Sequence, residues 1–251
     1  MGNTMYASKE GAKFSAEVEA NSSLPIGSMQ RKTIYKFQNY PPLSVESVQE
    51  ILGHDKFLKF WPDISSEILV ERDGEKRVPI AGLVSLLSDL GEPLSEVIVE
   101  ALYASTSPVW AYETPNLVVM AGLTDSLDKH FKASAYTAAW YVGLVSGTPT
   151  FAEGNTMASH PGWFEVGPYS GARPTLTLGT VVSGSVDNSA AKAIYAITAT
   201  MVVGGGFVVT LPTQGQTSGT LYGGAAFSGG NRSVLNGDTL NVTCTLTAAA
   251  A

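Results

Sequence analysis

From Thr150 to Ala251 the chain is rich in Gly, Thr, Ser and Ala, and it carries very few charges. It closes on Asp238-Thr-Leu-Asn-Val-Thr-Cys-Thr-Leu-Thr247. There Leu240, Val242, Cys244 and Leu246 share one face while Asn241, Thr243, Thr245 and Thr247 share the other, the period of a half-buried strand. Just ahead, Asn236-Gly237 supplies the positive backbone angles of a tight turn. Further turn signals recur at Gly147-Thr-Pro149, Gly154-Asn155, Pro161-Gly162, Gly167-Pro168, Asp187-Asn188 and Gly229-Gly-Asn231. Short strands at such spacing predict an all-β sandwich, jelly-roll-like, over residues 133–251. A neutral skin of short side chains suits contact with other proteins more than chemistry.

The charge is unevenly placed. The chain has formal net charge −7, from 22 acids and 15 bases, and 44% hydrophobic residues, enough to build a core over 251 residues. Only Glu153, Glu165, Asp187 and Asp238 stand against Arg173, Lys192 and Arg232 after residue 150, which leaves 18 acids and 12 bases before it. No basic patch speaks for direct nucleic-acid binding. No apolar run has signal-peptide or membrane-span length, so neither secretion nor membrane insertion is expected. Gly2 is followed by Tyr6 where the myristoylation motif needs Ser or Thr. The lone Cys244 permits no internal disulfide and reads as a buried thiol in a protein that matures in a reducing cytoplasm. Without a secretory route the Asn-x-Ser/Thr sequons carry no glycan.

The first part of the chain reads differently. Residues 1–43 show no sustained period and are expected to form an amino-terminal arm, its stretch from Met5 to Gln30 ordering on binding. A mainly helical domain is expected over 44–132. Ser47 and Glu50 have capping-box spacing ahead of a stripe of Val48, Ile51, Leu52, Phe57, Leu58 and Phe60. Asp73-Gly74 predicts a hairpin within 66–79, with helix up to Glu71 as the rival. Ile80 to Leu90 has helical spacing and stops at Gly91. Glu92-Pro93 opens another helix with Leu94, Val97, Ile98 and Leu102 inward. A last helix is expected over Thr124 to Lys132, capped by Thr124. The fold class is therefore α+β, helical before residue 132 and all-β after it.

Nothing in the sequence assembles into a catalytic or metal site. His54, His130 and His160 lie far apart and far from Cys244, against zinc. Gly204-Gly-Gly206 lacks the Lys-Ser/Thr of a phosphate loop, and no Gly-x-Ser-x-Gly elbow occurs in a strand-to-helix setting. The acids after residue 150 are too scattered for a glycosidase pair. The chain is read as a non-enzyme with no cofactor. His160-Pro-Gly-Trp163 has two readings: Trp163 plugs the end of the sandwich while His160 caps a loop, or both contact a partner or glycan. The residues put forward as protein-interface candidates are His160, Trp163, Tyr169, Arg173, Tyr222 and Arg232.

The stretches Ala135-Tyr-Thr-Ala-Ala-Trp-Tyr-Val-Gly-Leu144, Gly154-Asn-Thr-Met-Ala-Ser-His-Pro-Gly-Trp163, Thr217-Ser-Gly-Thr-Leu221 and Asn236-Gly-Asp-Thr-Leu-Asn-Val-Thr243 together resemble a group of small virion structural proteins of tailed bacteriophages. The shared signature is Tyr-Val-Gly-Leu, a Thr-Met-Ala-Ser-His-x-Gly-Trp loop and a closing Asn-Gly-Asp-x-Leu strand. The resemblance covers Ala135 to Leu246, and residues 1–132 do not take part in it. It implies a virion component assembled in the host cytoplasm. The expectation drawn from it is a capsid decoration or cement protein that binds the major capsid protein and other copies of itself as a homo-oligomer. The alternatives are a receptor-binding or tail-fibre module recognising host glycan through Trp163, Tyr169 and Tyr222, and a neck or connector protein.

Overall fold

The computed structural model describes residues 29–132, 134–135 and 139–250. The protein is α+β. Its spine is a pair of long strands, β1 (Met29–Tyr40) and β14 (Thr239–Ala250), antiparallel from Met29 opposite Ala250 to Tyr40 opposite Thr239. The arm expected over residues 1–43 is thus corrected from residue 29 onward, where the chain forms an interior sheet strand; residues 1–28 lie outside the described residues. The reason is visible in β1 itself: Thr33, Tyr35, Phe37 and Asn39 alternate inward, all at 1% exposure or less, while Lys36 points out.

The other free side of β1 pairs with β5 (Trp110–Val118). The sheet is completed by β6 (Tyr141–Ser146), β7 (Phe164–Val166), β8 (Ser185–Asp187), β9 (Ala193–Ala196), β11 (Gly205–Val209) and β12 (Leu221–Ala226). It has nine strands in the order β7-β6-β11-β12-β5-β1-β14-β8, with β9 also on β14. β5 serves both halves: Trp110 to Asn116 pair with β1, and Leu117 and Val118 pair with β12. A strand that passes from one half to the other turns a corner, so the halves face each other across one core. Tyr195 on β9 reaches across and donates to the Val142 carbonyl on β6 at 2.8 Å. Beyond the ends of β7 and β9, Tyr169 and Ile197 form a β-bridge that draws the sheet's two edges together. The core between the halves includes Tyr35, Phe37, Val142, Leu144, Val208, Val242 and Cys244. A small second sheet joins β10 (Met201–Val203) to β13 (Arg232–Val234).

Between β1 and β5, which are neighbours in the sheet, the chain makes a helical excursion. It contains β2 (Leu43–Ser44), α1 (Val45–Leu52), α2 (His54–Asp63), a π-helical turn at Ile64–Ile68, β3 (Val70–Arg72), β4 (Glu75–Val78), α3 (Ile80–Asp89) and α4 (Glu96–Ala104). Its own core gathers Val48, Phe57, Phe60, Ile64, Leu83, Leu87 and Leu102. The chain then returns to the sheet as β5 and α5 (Met120–Phe131). Residues 105–118, expected in a helical domain ending at residue 132, therefore belong to the β-body.

The expected hairpin is present as β3 and β4, with Asp73 at φ 55° and Gly74 at φ 76° forming its turn. Three helix starts differ from expectation. α1 is capped by Ser44, whose Oγ accepts from Ser47 N at 3.1 Å, so Ser47 lies inside the first turn. α4 begins behind Ser95 rather than at Pro93, which turns Val97 outward to 75% exposure. α5 begins at Met120, a full turn before Thr124.

The excursion is fastened to the sheet by a buried polar joint. Asp238, 2% exposed, takes an ion pair from Arg72 on β3 at 2.7 Å, a hydrogen bond from Asn39 Nδ2 on β1 at 2.6 Å, and one from Leu235 N at 2.9 Å. Beside it Tyr103 of α4 donates to Asn241 Oδ1 at 3.2 Å, and Ala81 N donates to Thr239 Oγ1 at 3.0 Å. The polar face of β14 is therefore covered by helices at its start, which is why Asn241 is buried alongside Leu240 and Val242.

Candidate functional site

The loop His160-Pro-Gly-Trp163 closes as a turn, with Trp163 N donating to the His160 carbonyl at 3.3 Å. The Trp163 ring then enters the core at 1% exposure. It lies between Phe207 on β11 at 4.9 Å and Phe151 at 5.2 Å, and its Nε1 donates to Asn155 Oδ1 at 3.1 Å. His160 stacks over it at 3.9 Å, and its Nδ1 donates to the Trp163 carbonyl at 3.0 Å. Of the two readings of this loop, the structure has the plug and cap.

Arg173 is likewise internal, at 2% exposure. Its Nε and Nη2 each donate to the Glu165 carboxylate at 2.7 Å, and Nη1 donates to the Leu211 carbonyl at 2.8 Å. The guanidinium lies 5.2 Å from the Phe207 ring centroid. Glu165 also accepts from Gly215 N at 2.7 Å. This pair ties the segment after β7 to the loop between β11 and β12.

Tyr169 packs edge-on to Tyr195, and burial, with the Glu165 charge second, pushes its hydroxyl well above the usual tyrosine value. Tyr222 meets Trp140 edge-on at 5.6 Å. Arg232 lies over the Tyr112 ring at 5.0 Å and donates through Nη1 to the carbonyls of Gly229, Gly230 and Asn231, closing its own turn. Of the six interface candidates, Trp163, Tyr169, Arg173 and Tyr222 are buried in the chain, and their side chains face other parts of it. His160 and Arg232 are half-buried and committed to local backbone. These residues build the β-body, and as placed they do not offer a partner a common face.

The exposed apolar surface lies elsewhere. On α5, Met120, Leu127 and Phe131 are 56%, 55% and 70% exposed and fall at i, i+7 and i+11, one stripe of the helix. The opposite side rests on β12, where Gly122 sits so close that a Cβ would lie 2.7 Å from Tyr222 Cα. The spacing of Met120, Leu127 and Phe131 was the available signal; a helix started at Thr124 leaves Met120 out of it.

Beside α5 a groove of about 560 Å³ is lined by Phe131, Trp140, Leu176, Leu178, Tyr222 and Leu246 among others. Val181 and Val182, 67% and 65% exposed, belong to the turn just beyond Leu178. Among the described residues no group of three or more His, Cys, Asp or Glu side chains could hold a metal ion, and no helix is long and apolar enough to cross a membrane. The Cys244 thiol is fully buried, and burial pushes its pKa far up. Comparison of the chain with protein-family models and with curated proteins finds no match.

Proposed function

We propose that this chain is a structural virion protein of a tailed bacteriophage, a decoration or cement protein on the outside of the head, bound to the major capsid protein and to further copies of itself. The observation that carries the reading is the stripe of Met120, Leu127 and Phe131 along α5, whose large apolar side chains face solvent in the isolated chain. Contiguous exposed apolar side chains mark contact surfaces, and a cement protein gains its hold by repeating a modest contact over many shell subunits. The residues of the resemblance support the reading from the scaffold side. Tyr141 to Leu144 lie in β6, where Gly143 leaves room for the Phe207 ring; Trp163 plugs the core; Asn236-Gly237 turns the chain into the Asp238 joint. We read the rolled body as jelly-roll-like, with β5 at its corner, and the helical excursion as a domain with its own core. The glycan-binding alternative relies on Trp163, Tyr169 and Tyr222, which are buried, so no observation favours it.

Co-sedimentation of the purified chain with phage heads that lack it tests this reading. Saturable binding is expected, lost in Met120→Glu/Leu127→Glu while thermal unfolding stays unchanged. Absence of binding, or full binding by that variant, would overturn it.

A further inference from the structure

Residues 41–109 hold 12 acids against 5 bases, so the helical excursion carries the chain's whole formal net charge of −7 and the remainder is balanced. Three of the five bases are already held in ion pairs, Lys59 with Glu92, Arg72 with Asp238 and Arg77 with Glu75. Where this acidic module meets the β-body lies a groove of about 400 Å³, lined by the π-helical turn and α3 and by residues 196–198 and 236–237. No residue of α5 lines it, so it is distinct from the apolar stripe described above.

Ile68, Leu86 and Ile197 give the groove an apolar lining, and the exposed acids Glu67 and Asp89 line it too. Neither carboxylate has an ion-pair or hydrogen-bond partner among the described residues. No third acid, His or Cys among those residues joins them in a group that could hold a metal ion, which favours an organic cation. Gly82 keeps the wall of the groove low. It stands within α3, where glycine is the poorest helix former after proline, yet a Cβ there would meet Pro79 and Ile68 only at 3.5 and 3.6 Å, ordinary contact distances. Neither packing nor the helical backbone requires glycine at this position, and what it leaves open is space in the groove.

We propose that this groove receives a lysine or arginine side chain from a segment of a partner protein, the aliphatic stem lying on Ile68, Leu86 and Ile197 and the cationic head meeting Glu67 and Asp89. Long basic side chains bury their stems along apolar surface while the charge stays at the rim, which is the chemistry this lining offers. The net charge of the excursion draws a basic partner to the same side of the molecule.

The test uses the full-length chain and a synthetic peptide, Gly-Ser-Leu-Lys-Leu-Arg-Gly-Ser, followed by amide NMR shifts at low ionic strength. Saturable shifts are expected at Glu67, Ile68, Gly82 and Asp89. Glu67→Gln/Asp89→Asn should weaken binding at least about threefold, whereas Glu96→Gln/Glu100→Gln, which removes the same charge from α4 outside the groove, should weaken it less than about twofold. Gly82→Leu, which fills the groove and leaves the charge unchanged, should abolish the shifts. Equal weakening by the two charge variants would reduce the effect to diffuse attraction and overturn the proposal, as would equal binding of the peptide with Glu in place of Lys and Arg, or no saturable binding at about 5 mM peptide. Self-association of the chain that disappears in Glu67→Gln/Asp89→Asn would overturn it too, assigning the groove to a second copy.

Discussion

Replacing Arg173 by methionine leaves the Glu165 carboxylate in place, with only Gly215 N remaining of the protein donors described above. In the native protein the two side chains are 0% and 10% exposed, and two charge-assisted hydrogen bonds of 2.7 Å join them. Removing one partner of a buried pair costs about 3–5 kcal/mol, because the remaining charge stays desolvated without compensation. For a chain of this length, at roughly 2–4 °C per kcal/mol, the melting temperature should fall by about 6–20 °C. The double variant Arg173→Met/Glu165→Met removes the stranded charge and gives up the bonds to Leu211 O and Gly215 N, a loss of about 1–3 kcal/mol. It should therefore be more stable than Arg173→Met alone. Urea unfolding followed by tryptophan fluorescence, analysed as a double-mutant cycle, measures both effects. A loss below about 1 kcal/mol for Arg173→Met, with additive single effects, would show the pair behaving as a surface ion pair and refute the reasoning.

Three further outcomes follow from the packing. Gly122→Ala should destabilise the protein by about 1–3 kcal/mol despite alanine's higher helix propensity, because a Cβ would collide with the backbone of Tyr222; a gain in melting temperature would contradict that contact. Trp163→Ala should cost about 3–5 kcal/mol in urea unfolding, the loss of a buried aromatic plug, and a near-neutral effect would mean that the ring is not in the core. Stability should also decline at high pH. Burial raises the Tyr103 hydroxyl to about 12 from the ordinary value of 10.0, so the neutral form is favoured in the folded state. That contribution is full below pH 10 and is lost as pH rises through 12. Tyr35 and Tyr195 are raised further in the same direction. Absorbance at the phenolate band should show these tyrosines ionising together with unfolding, and independent ionisation in the folded protein would refute their burial.

What could be read from the sequence was whatever depends on neighbours along the chain. The alternation in β14 was legible because its core face is apolar from Leu240 to Leu246. The turns at Asp73-Gly74 and Asn236-Gly237 were legible because Asp73, Gly74 and Gly237 take positive φ angles that few residues tolerate. β1 was missed because Thr33 and Asn39 occupy its buried face, and Asn39 is satisfied there by Asp238, 199 residues later in the chain. The domain boundary was misplaced because β5 re-enters a sheet whose neighbouring strand lies before the helices, a pairing with no local signature. The interface candidates are aromatic and polar side chains whose direction depends on distant partners: Trp163 and Arg173 turn inward onto Phe207, which comes more than thirty residues later. The exposed stripe of α5 depended on where the helix starts, and Met120 enters it only because the helix begins a turn early.

The central claim is tested most directly by the number of copies of this chain per purified particle, measured by quantitative mass spectrometry against the major shell protein. A decoration role on an icosahedral head predicts on the order of hundreds of copies. A few to a few dozen copies would place the chain at the neck or tail instead, and its absence from particles would contradict the virion reading altogether.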